Sequence, residues 1–152
     1  MQIITSKENQ LVKHICKLKE KKYRTQYNEF IVEGVKLVKE AIKENAKIKK
    51  IVISKTGKES KLIEKYLGNE LEKINYVQVE DNIFKLISEV ENPQGILAVI
   101  QKKFEKNEIK NEEMIVALDG LQDPGNLGTI LRTIDSVRFN ASYCFKKYGR
   151  LL

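Results

Sequence analysis

The sequence contains few of the residues that build disulfide frameworks or metal sites. Its 152 residues include two cysteines, Cys16 and Cys144, and one histidine, His14. The cysteines form neither a CxxC pair nor a disulfide framework, which agrees with a reducing compartment. We expect no metal site, because no set of further ligands accompanies His14, and we expect that histidine to be an ordinary surface residue.

Long apolar runs are also absent. No segment is apolar over the length of a membrane span, and residues 1–10 lack the hydrophobic region of a signal peptide. These absences predict a cytoplasmic protein with no membrane partner. Hydrophobic residues make up 41% and charged residues 32% of the chain. This composition predicts a folded globular protein rather than a disordered one.

Basic residues outnumber acidic ones by 28 to 21, for a formal net charge of +7. The excess lies at the two ends of the chain. Residues 1–30 contain seven Lys or Arg and three Glu, and residues 138–152 contain four Lys or Arg and no acid. A basic excess of this kind indicates a polyanionic partner such as a nucleic acid.

The first helix is indicated by a capping-box pattern followed by an apolar stripe. Thr5 and Glu8 have the capping-box spacing, which predicts that a helix begins there. Leu11, Ile15 and Leu18 then follow at helical spacing.

Beyond this helix, short apolar strands alternate with amphipathic helices. The pattern predicts an α/β fold in which helices surround a mainly parallel sheet. Gly68 predicts that one helix ends there in a left-handed cap. The predicted strands lie at 30–32, 51–53, 76–79 and 95–100, and the predicted helices lie at 35–42, 61–67 and 83–87.

A strand, a loop and a helix follow a charged linker. The strand is predicted at 114–118 and the helix at 127–137, and the loop between them is rich in Gly, Pro and Asn. Ligands bind beyond the carboxyl ends of parallel strands, where helix N-termini offer free amides, so this loop is a candidate site. Asn126 is expected at the helix N-cap. Such clusters also serve simply to turn the chain.

The segment 118–133, LDGLQDPGNLGTILRT, resembles the first signature motif of the SpoU (TrmH-type) RNA 2′-O-ribose methyltransferases. The segments FIVEG at 30–34 and NPQG at 92–95 are similar to the substrate-binding domain of that family. The resemblance implies an α/β RNA substrate-binding domain, followed by the first strand, loop and helix of an α/β-knot (SPOUT) methyltransferase domain. It also implies methyl transfer from S-adenosylmethionine to a ribose hydroxyl of tRNA or rRNA.

The resemblance places Asn126 and Arg132 at the catalytic site. The arginine of this motif is often assigned as the base that activates the ribose hydroxyl. A guanidinium hardly ever loses its proton in a protein, so a bidentate grip on an RNA phosphate is the easier role. The alternatives are a solvated charge on the helix for Arg132 and a plain helix cap for Asn126.

Candidate RNA-binding residues lie near the amino end. Lys21, Lys22, Tyr23 and Arg24 form a basic run with an aromatic, which suits phosphate binding and base stacking. A solubilising helix end is the alternative, which composition alone favours and which the resemblance makes less attractive. Glu33 could accept a hydrogen bond from a ribose hydroxyl, or its charge could cap the helix that follows it.

The resemblance stops at Arg138. Four of the eleven aromatic residues fall in the last fifteen residues, and this shift in composition predicts a frameshifted or prematurely ended gene. The knot segment, the S-adenosylmethionine pocket and much of the homodimer interface of the family then have no counterpart. The predicted organisation is an RNA-binding domain at 1–101, a linker at 102–113, the start of a methyltransferase domain at 114–137 and an atypical tail at 138–152.

Two classes of function therefore remain open. One is an RNA 2′-O-methyltransferase represented by an N-terminal fragment, which we expect to be inactive alone and not to bind S-adenosylmethionine usefully. The other is a non-catalytic RNA-binding module or an inactive remnant.

Overall fold

The computed structural model describes residues 3–71, 74–103, 115–118, 120–121, 123–137 and 141–144. The chain divides into two compact units, Met1–Phe104 and Glu105–Leu152. Within the described residues, no helix is long and apolar enough to cross a membrane.

The first unit contains a five-stranded sheet with the spatial order β1-β4-β3-β5-β2. Strand β4 pairs in parallel with β1 and with β3, whereas β5 pairs antiparallel with β3 and with β2. The strands are β1 (Ile3–Ile4), β2 (Glu29–Glu33), β3 (Ile48–Ser54), β4 (Tyr76–Val79) and β5 (Ile96–Gln101).

The prediction of a mainly parallel sheet is therefore wrong, because two of the four strand pairings are antiparallel. The physical reason lies in β5. Five of its six residues are buried, which gives an uninterrupted apolar run. Such a run shows that both faces of a strand are covered, but it carries no information about the direction of that strand.

Helices cover both faces of this sheet, as the sequence predicts for an α/β fold. One face packs against α1 (Gln10–Leu18) and α6 (Asp81–Ile87), and the other packs against α3 (Val35–Lys43) and α5 (Lys61–Leu71). Alternate residues of the central strands supply the two cores: Val52 and Leu97 belong to the first, and Ile53 and Ile96 to the second. The remaining helices are α2 (Lys21–Tyr27) and α4 (Lys55–Lys58).

Helix α1 begins later than its capping-box pattern predicts. Its N-cap is Asn9, whose side chain accepts a hydrogen bond from the backbone amide of Leu11 at 2.9 Å. The predicted start at Thr5 is wrong, because asparagine is a stronger N-cap than threonine. The carboxylate of Glu8 forms an ion pair with Lys13 instead of returning to the helix start.

Helix α5 passes through Gly68 and ends at Leu71, so the predicted end at Gly68 is wrong. Leu67 and Leu71 are both buried in the core. The additional turn buries Leu71, and this gain outweighs the penalty of roughly 1 kcal/mol for glycine inside a helix.

The second unit contains β6 (Ile115–Leu118), α7 (Pro124–Ser136) and β7 (Ala141–Cys144), and its two strands pair in parallel. The sequence predicts only a strand, a loop and a helix here, so β7 is an addition within the predicted tail. Of the predicted linker at 102–113, only Lys102 and Lys103 are among the described residues.

Helix α7 begins at Pro124 rather than near Leu127, and its N-cap is Asp123. The Asp123 carboxylate accepts a hydrogen bond from the backbone amide of Gly125 at 2.9 Å. The predicted N-cap, Asn126, therefore lies inside the first turn and that assignment is wrong. Asp at the N-cap with Pro next to it is a strong helix start, and it takes precedence over the asparagine.

Candidate RNA-binding surface and motif helix

Helices α1 and α2 carry an exposed group of basic side chains around one tyrosine. We call this group the basic ridge; it consists of Lys17, Lys21, Lys22, Tyr23 and Tyr27. The three lysines are exposed and the two tyrosines are half-buried. The ammonium nitrogens of Lys17 and Lys22 each lie 5.6 Å from the centroid of the Tyr23 ring. Positive charge and an accessible aromatic ring therefore occur together here.

The two tyrosines of the basic ridge are one helical turn apart on α2. Their ring centroids are 6.1 Å apart and their planes differ by 14°, which is a stacked arrangement. The helix ends at Asn28, which has a left-handed conformation with φ of 54°. This turn leads directly into β2, so the tyrosine pair is fixed close to the sheet.

Arg24, predicted from the sequence as an RNA-binding residue, is half-buried and takes part in the fold. Its Nη1 atom donates hydrogen bonds to the carbonyl oxygens of Leu18 at 3.0 Å and Lys19 at 2.6 Å. These carbonyls lie at the end of α1, where they have no partner within the helix. Arg24 thus joins the end of α1 to α2.

Glu33 lies at the end of β2, where its carboxylate binds the segment after α6. One oxygen accepts a hydrogen bond from the hydroxyl of Ser88 at 2.6 Å, and the other accepts one from the backbone amide of Glu89 at 3.2 Å. The N-cap of α3 is Gly34, and the backbone amide of Val35 is bound by the side chain of Gln94 at 2.9 Å. The N-cap residue itself makes no side-chain cap hydrogen bond, so the role of the Glu33 charge at this helix stays a prediction.

The two N-terminal segments that resemble the family motif are adjacent in the structure. The amide of Gly34 donates to the carbonyl oxygen of Ile96 at 3.0 Å, and Gly34 has a φ of 99°. A Cβ atom at Gly34 would lie 3.2 Å from the side-chain oxygen of Gln94. A cavity of about 250 Å³ opens here, lined by Glu33, Gly34, Lys36, Leu37, Val90, Asn92 and Gln94.

His14 has specific contacts, so the expectation of an ordinary surface residue is wrong. Its Nε2 atom lies 2.6 Å from a carboxylate oxygen of Glu29, and its ring centroid lies 4.8 Å from that of Tyr27. The sequence places His14 one turn before Lys17 on α1. Its contacts were not predictable, because Glu29 and Tyr27 belong to other elements. Within the described residues, no cluster of His, Cys, Asp or Glu could hold a metal ion.

The two motif residues of the second unit are both exposed on α7. Arg132 donates a hydrogen bond to the hydroxyl of Thr129 at 3.1 Å, and this hydroxyl donates to the carbonyl oxygen of Gly125 at 3.0 Å. The side chain of Arg132 therefore extends back towards the beginning of the helix. It passes close to Gly128, where a Cβ atom would lie 3.5 Å from its Nη1 atom. Asn126 lies in the first turn of the same helix.

Comparison with known proteins gives a specific family. The model of the MRM3-like substrate binding domain matches residues 9–98, more than half of the chain. The chain is 36% identical over 142 residues to the 23S rRNA (guanosine(2553)-2′-O)-methyltransferase RlmP of Bacillus subtilis. This alignment covers 93% of the chain and 53% of the relative.

Solved structures agree with this result. The AdoMet-bound rRNA methyltransferase from Sinorhizobium meliloti is 28% identical with a TM-score of 0.70, over 98% of this chain and 57% of that one. The SpoU methyltransferase AviRb from Streptomyces viridochromogenes is 20% identical with a TM-score of 0.72, over 90% of this chain and 53% of that one, and shares the fold.

The fold and the matched region define an α/β substrate-binding domain of the kind found in RNA methyltransferases. The chain belongs to the MRM3-like substrate binding domain family, and its relatives are SpoU-type rRNA 2′-O-methyltransferases. The resemblance noted from the sequence motifs is thereby confirmed. The chain spans about half the length of the relatives described above.

Proposed function

We propose that this chain supplies the RNA-binding domain and the first catalytic residues of an rRNA 2′-O-methyltransferase that uses S-adenosylmethionine. The basic ridge is the observation that carries the RNA-binding part. Two exposed lysines, Lys17 and Lys22, lie at the Tyr23 ring and a third, Lys21, is exposed on the same helix as Tyr23, which combines phosphate attraction with a surface for a base. The proposed domains are those expected from the sequence: 1–101 for RNA binding and 114–137 for the start of the catalytic domain.

The predicted RNA-binding residues have different roles in this proposal. Lys21 and Lys22, with Lys17, bind phosphates, and Tyr23 offers its ring. Arg24 and Glu33 act indirectly, because their polar atoms are already bound to the protein. Arg24 holds α1 and α2 together beneath the basic ridge.

Arg132 is proposed to bind an RNA phosphate and to orient the ribose hydroxyl, with Asn126 beside the reacting group. Thr129 supports this role, because its hydroxyl holds the guanidinium towards the beginning of α7. A guanidinium with two parallel donors matches a phosphate geometrically. Both residues are proposed to act when the complete methyl-donor site is present.

S-adenosylmethionine is the proposed methyl donor, since a solved relative binds it. The described cavities are all lined by residues of the first unit. Asn126 and Arg132 are exposed on α7 and line none of these cavities, so we assign no step of the reaction to the cofactor here. The proposed partner is tRNA or rRNA, and the proposed location is the cytoplasm.

The competing function is RNA binding without catalysis. It is favoured by the family match, which covers a substrate-binding domain at residues 9–98. Methyl-transfer assays on bulk tRNA and rRNA, run beside filter binding, separate the two. Binding without transfer supports the RNA-binding module, and transfer that depends on Arg132 supports the enzyme.

The basic ridge is tested by the salt dependence of RNA binding. The double variant Lys21→Gln/Lys22→Gln should bind RNA more weakly and lower the slope of log K against log salt by roughly 1 to 2. The matched control is Lys39→Gln/Lys65→Gln, which removes two lysines that flank Tyr66 on α3 and α5. An equal loss in both double variants would contradict an RNA interface on α1 and α2.

A further inference from the structure

We infer that Tyr23 is a stacking platform for an unpaired RNA base, and that His14 and Glu29 are the positioning residues of this platform. The inference rests on the proposed RNA-binding function and adds the class of RNA that the basic ridge selects. It concerns nucleotides that are not base-paired, in a loop, a bulge or a single strand.

The platform is held by a continuous series of contacts that starts in the sheet. Glu29 is the first residue of β2 and pairs with Gln101 of β5. Its carboxylate holds His14 at 2.6 Å, the ring of His14 packs against Tyr27 at 4.8 Å, and Tyr27 stacks with Tyr23. The side chain of Glu29 is only 14% exposed and that of His14 is 30% exposed. An aromatic ring at the surface is thus fixed in orientation by a largely buried hydrogen bond.

Charge is placed where a stacked nucleotide would need it. Lys17 precedes Tyr23 on α1 and Lys22 lies next to it on α2, and both ammonium groups lie 5.6 Å from the ring centroid. A nucleotide whose base lies on the ring has its phosphates within a few ångströms of the edge of that base. Both ammonium groups lie over the ring, and their long flexible side chains can turn from it to those phosphates when a base takes the ring face.

This arrangement selects unpaired RNA because of the geometry of the duplex. Bases inside an A-form helix are stacked on their neighbours, so their faces are closed to a protein side chain, and proteins contact duplex RNA through phosphates and 2′-hydroxyls. Apart from the pair at each end of a duplex, only a base that has left the stack can lie on a tyrosine. The lysines alone would bind both forms of RNA, whereas the ring contributes to one of them.

A second tyrosine of this chain provides a matched control. Tyr66 on α5 is also flanked by two lysines, Lys39 at 5.5 Å and Lys65 at 5.7 Å from the ring centroid. In the described part of the chain, no other aromatic ring stacks on it. The control tyrosine therefore has the same flanking charges as Tyr23. It differs because no second aromatic ring of the described residues stacks on it.

The experiment measures binding of the full chain to two labelled RNAs of equal length, an unstructured single strand and a blunt duplex. Tyr23→Ala should weaken binding of the single strand about tenfold or more and leave duplex binding nearly unchanged. Tyr23→Phe should bind as the wild type does, and Tyr66→Ala should change neither affinity. Tyr23→Leu, which retains apolar bulk without an aromatic ring, should match Tyr23→Ala and guards against a loss of folding.

The positioning residues have a separate readout. His14→Ala and Glu29→Gln should lower the ratio of single-strand to duplex affinity, with duplex affinity retained. The chain has no tryptophan, so its tyrosine fluorescence can be followed directly. That fluorescence should be quenched by single-stranded RNA in the wild type and less so in Tyr23→Phe.

The possible failures can be told apart. If the wild type bound neither RNA, the proposed RNA-binding function itself would be wrong. If the wild type bound both RNAs but Tyr23→Ala lost no more affinity than Tyr66→Ala, or lost duplex and single-strand affinity equally, the stacking platform would be overturned.

Discussion

The carboxylate of Glu33 accepts a hydrogen bond from the hydroxyl of Ser88 at 2.6 Å, across 55 positions of the sequence. Ser88 is only 8% exposed, and the same carboxylate also binds the backbone amide of Glu89. This contact fixes the segment after α6 to the end of β2. Both oxygens of Glu33 have protein partners, so its first role is in the stability of this end of the sheet.

We predict that Glu33→Ala lowers the free energy of unfolding by about 1–3 kcal/mol, because it removes a charged acceptor that binds the Ser88 hydroxyl and the Glu89 amide. Ser88→Ala should cost a comparable amount, because it removes the donor to the Glu33 carboxylate and the acceptor of the Val90 amide. Urea titration measures both. A Glu33→Ala variant with unchanged stability but weaker RNA binding would instead indicate direct contact with the RNA.

A close approach of two glycines gives a second prediction. A Cβ atom at Gly57 would overlap the carbonyl oxygen of Gly95, which is itself held by the amide of Ser54 at 2.9 Å. Gly57→Ala should therefore destabilise the protein by at least about 2 kcal/mol. The control is Gly68→Ala inside α5, where the nearest atom, on Glu64, lies 3.9 Å from the new Cβ.

The control variant is expected to change stability in the opposite direction. Alanine is the better helix former, so Gly68→Ala should stabilise the protein by roughly 0.5–1 kcal/mol. Thermal and urea unfolding of the two variants tests the pair. Equal effects at both positions would show that the approach of Gly57 to Gly95 is not tightly constrained.

We predict that Asp81 makes stability depend on pH. The hydrogen bond from the Thr56 hydroxyl at 2.7 Å is the main cause that holds the pKa of Asp81 below its ordinary value, and the Thr56 amide at 3.0 Å adds to it. Partial desolvation acts in the opposite direction, and Lys55 supports the lowered pKa. A lowered pKa in the folded state means that the charged form is stabilised by folding.

The stabilisation from Asp81 should be present above the pKa of the unfolded chain, near pH 4, and should be lost as the pH falls through the lower pKa of the folded state. Asp81→Asn retains an acceptor oxygen but does not titrate. The difference in stability between wild type and variant should therefore shrink as the solution is acidified below about pH 4. Urea titrations at several pH values measure it, and a constant difference would contradict the prediction.

We also predict that the chain by itself shows no saturable micromolar binding of S-adenosylmethionine in calorimetry. The reason is that Asn126 and Arg132 are both exposed on α7, and the described part of the second unit adds only two paired strands to that helix. RNA titrated into the same preparation is the positive control. Saturable binding of the cofactor, weakened by Arg132→Ala, would show that the second unit forms a donor site.

The sequence predicts the fold well where packing follows from local patterns. The four apolar strands and the helices on both faces of the sheet are recovered, because periodicity reports burial directly. It misses β1, which has two residues, and the direction of β5, because pairing partners leave no local trace. The first residues of α1 and α7 are predicted wrongly because two possible N-caps lie within a few residues of each other. These are Thr5 and Asn9 for α1, and Asn126 and Asp123 for α7.

The candidate site was likewise predictable in part from the sequence. The basic run predicts that Lys21 and Lys22 are exposed, and the structure agrees. The contacts of His14 with Glu29 and of Glu33 with Ser88 join different elements of the chain, and no spacing rule predicts them. The sequence therefore predicts which residues carry charge, and the structure adds which of those charges are already engaged.

The position of β5 between β3 and β2 has a consequence for the order of folding. Glu29 pairs with Gln101 and Ile48 pairs with Ile100, so the first unit is closed by its last strand. During synthesis, β2 and β3 cannot pair with β5 until residue 101 has been added. Until then, the edges of β2 and β3 that face β5 remain unpaired. Contacts over such distances also slow folding. The nascent chain should therefore be most vulnerable to aggregation and proteolysis just before β5 emerges.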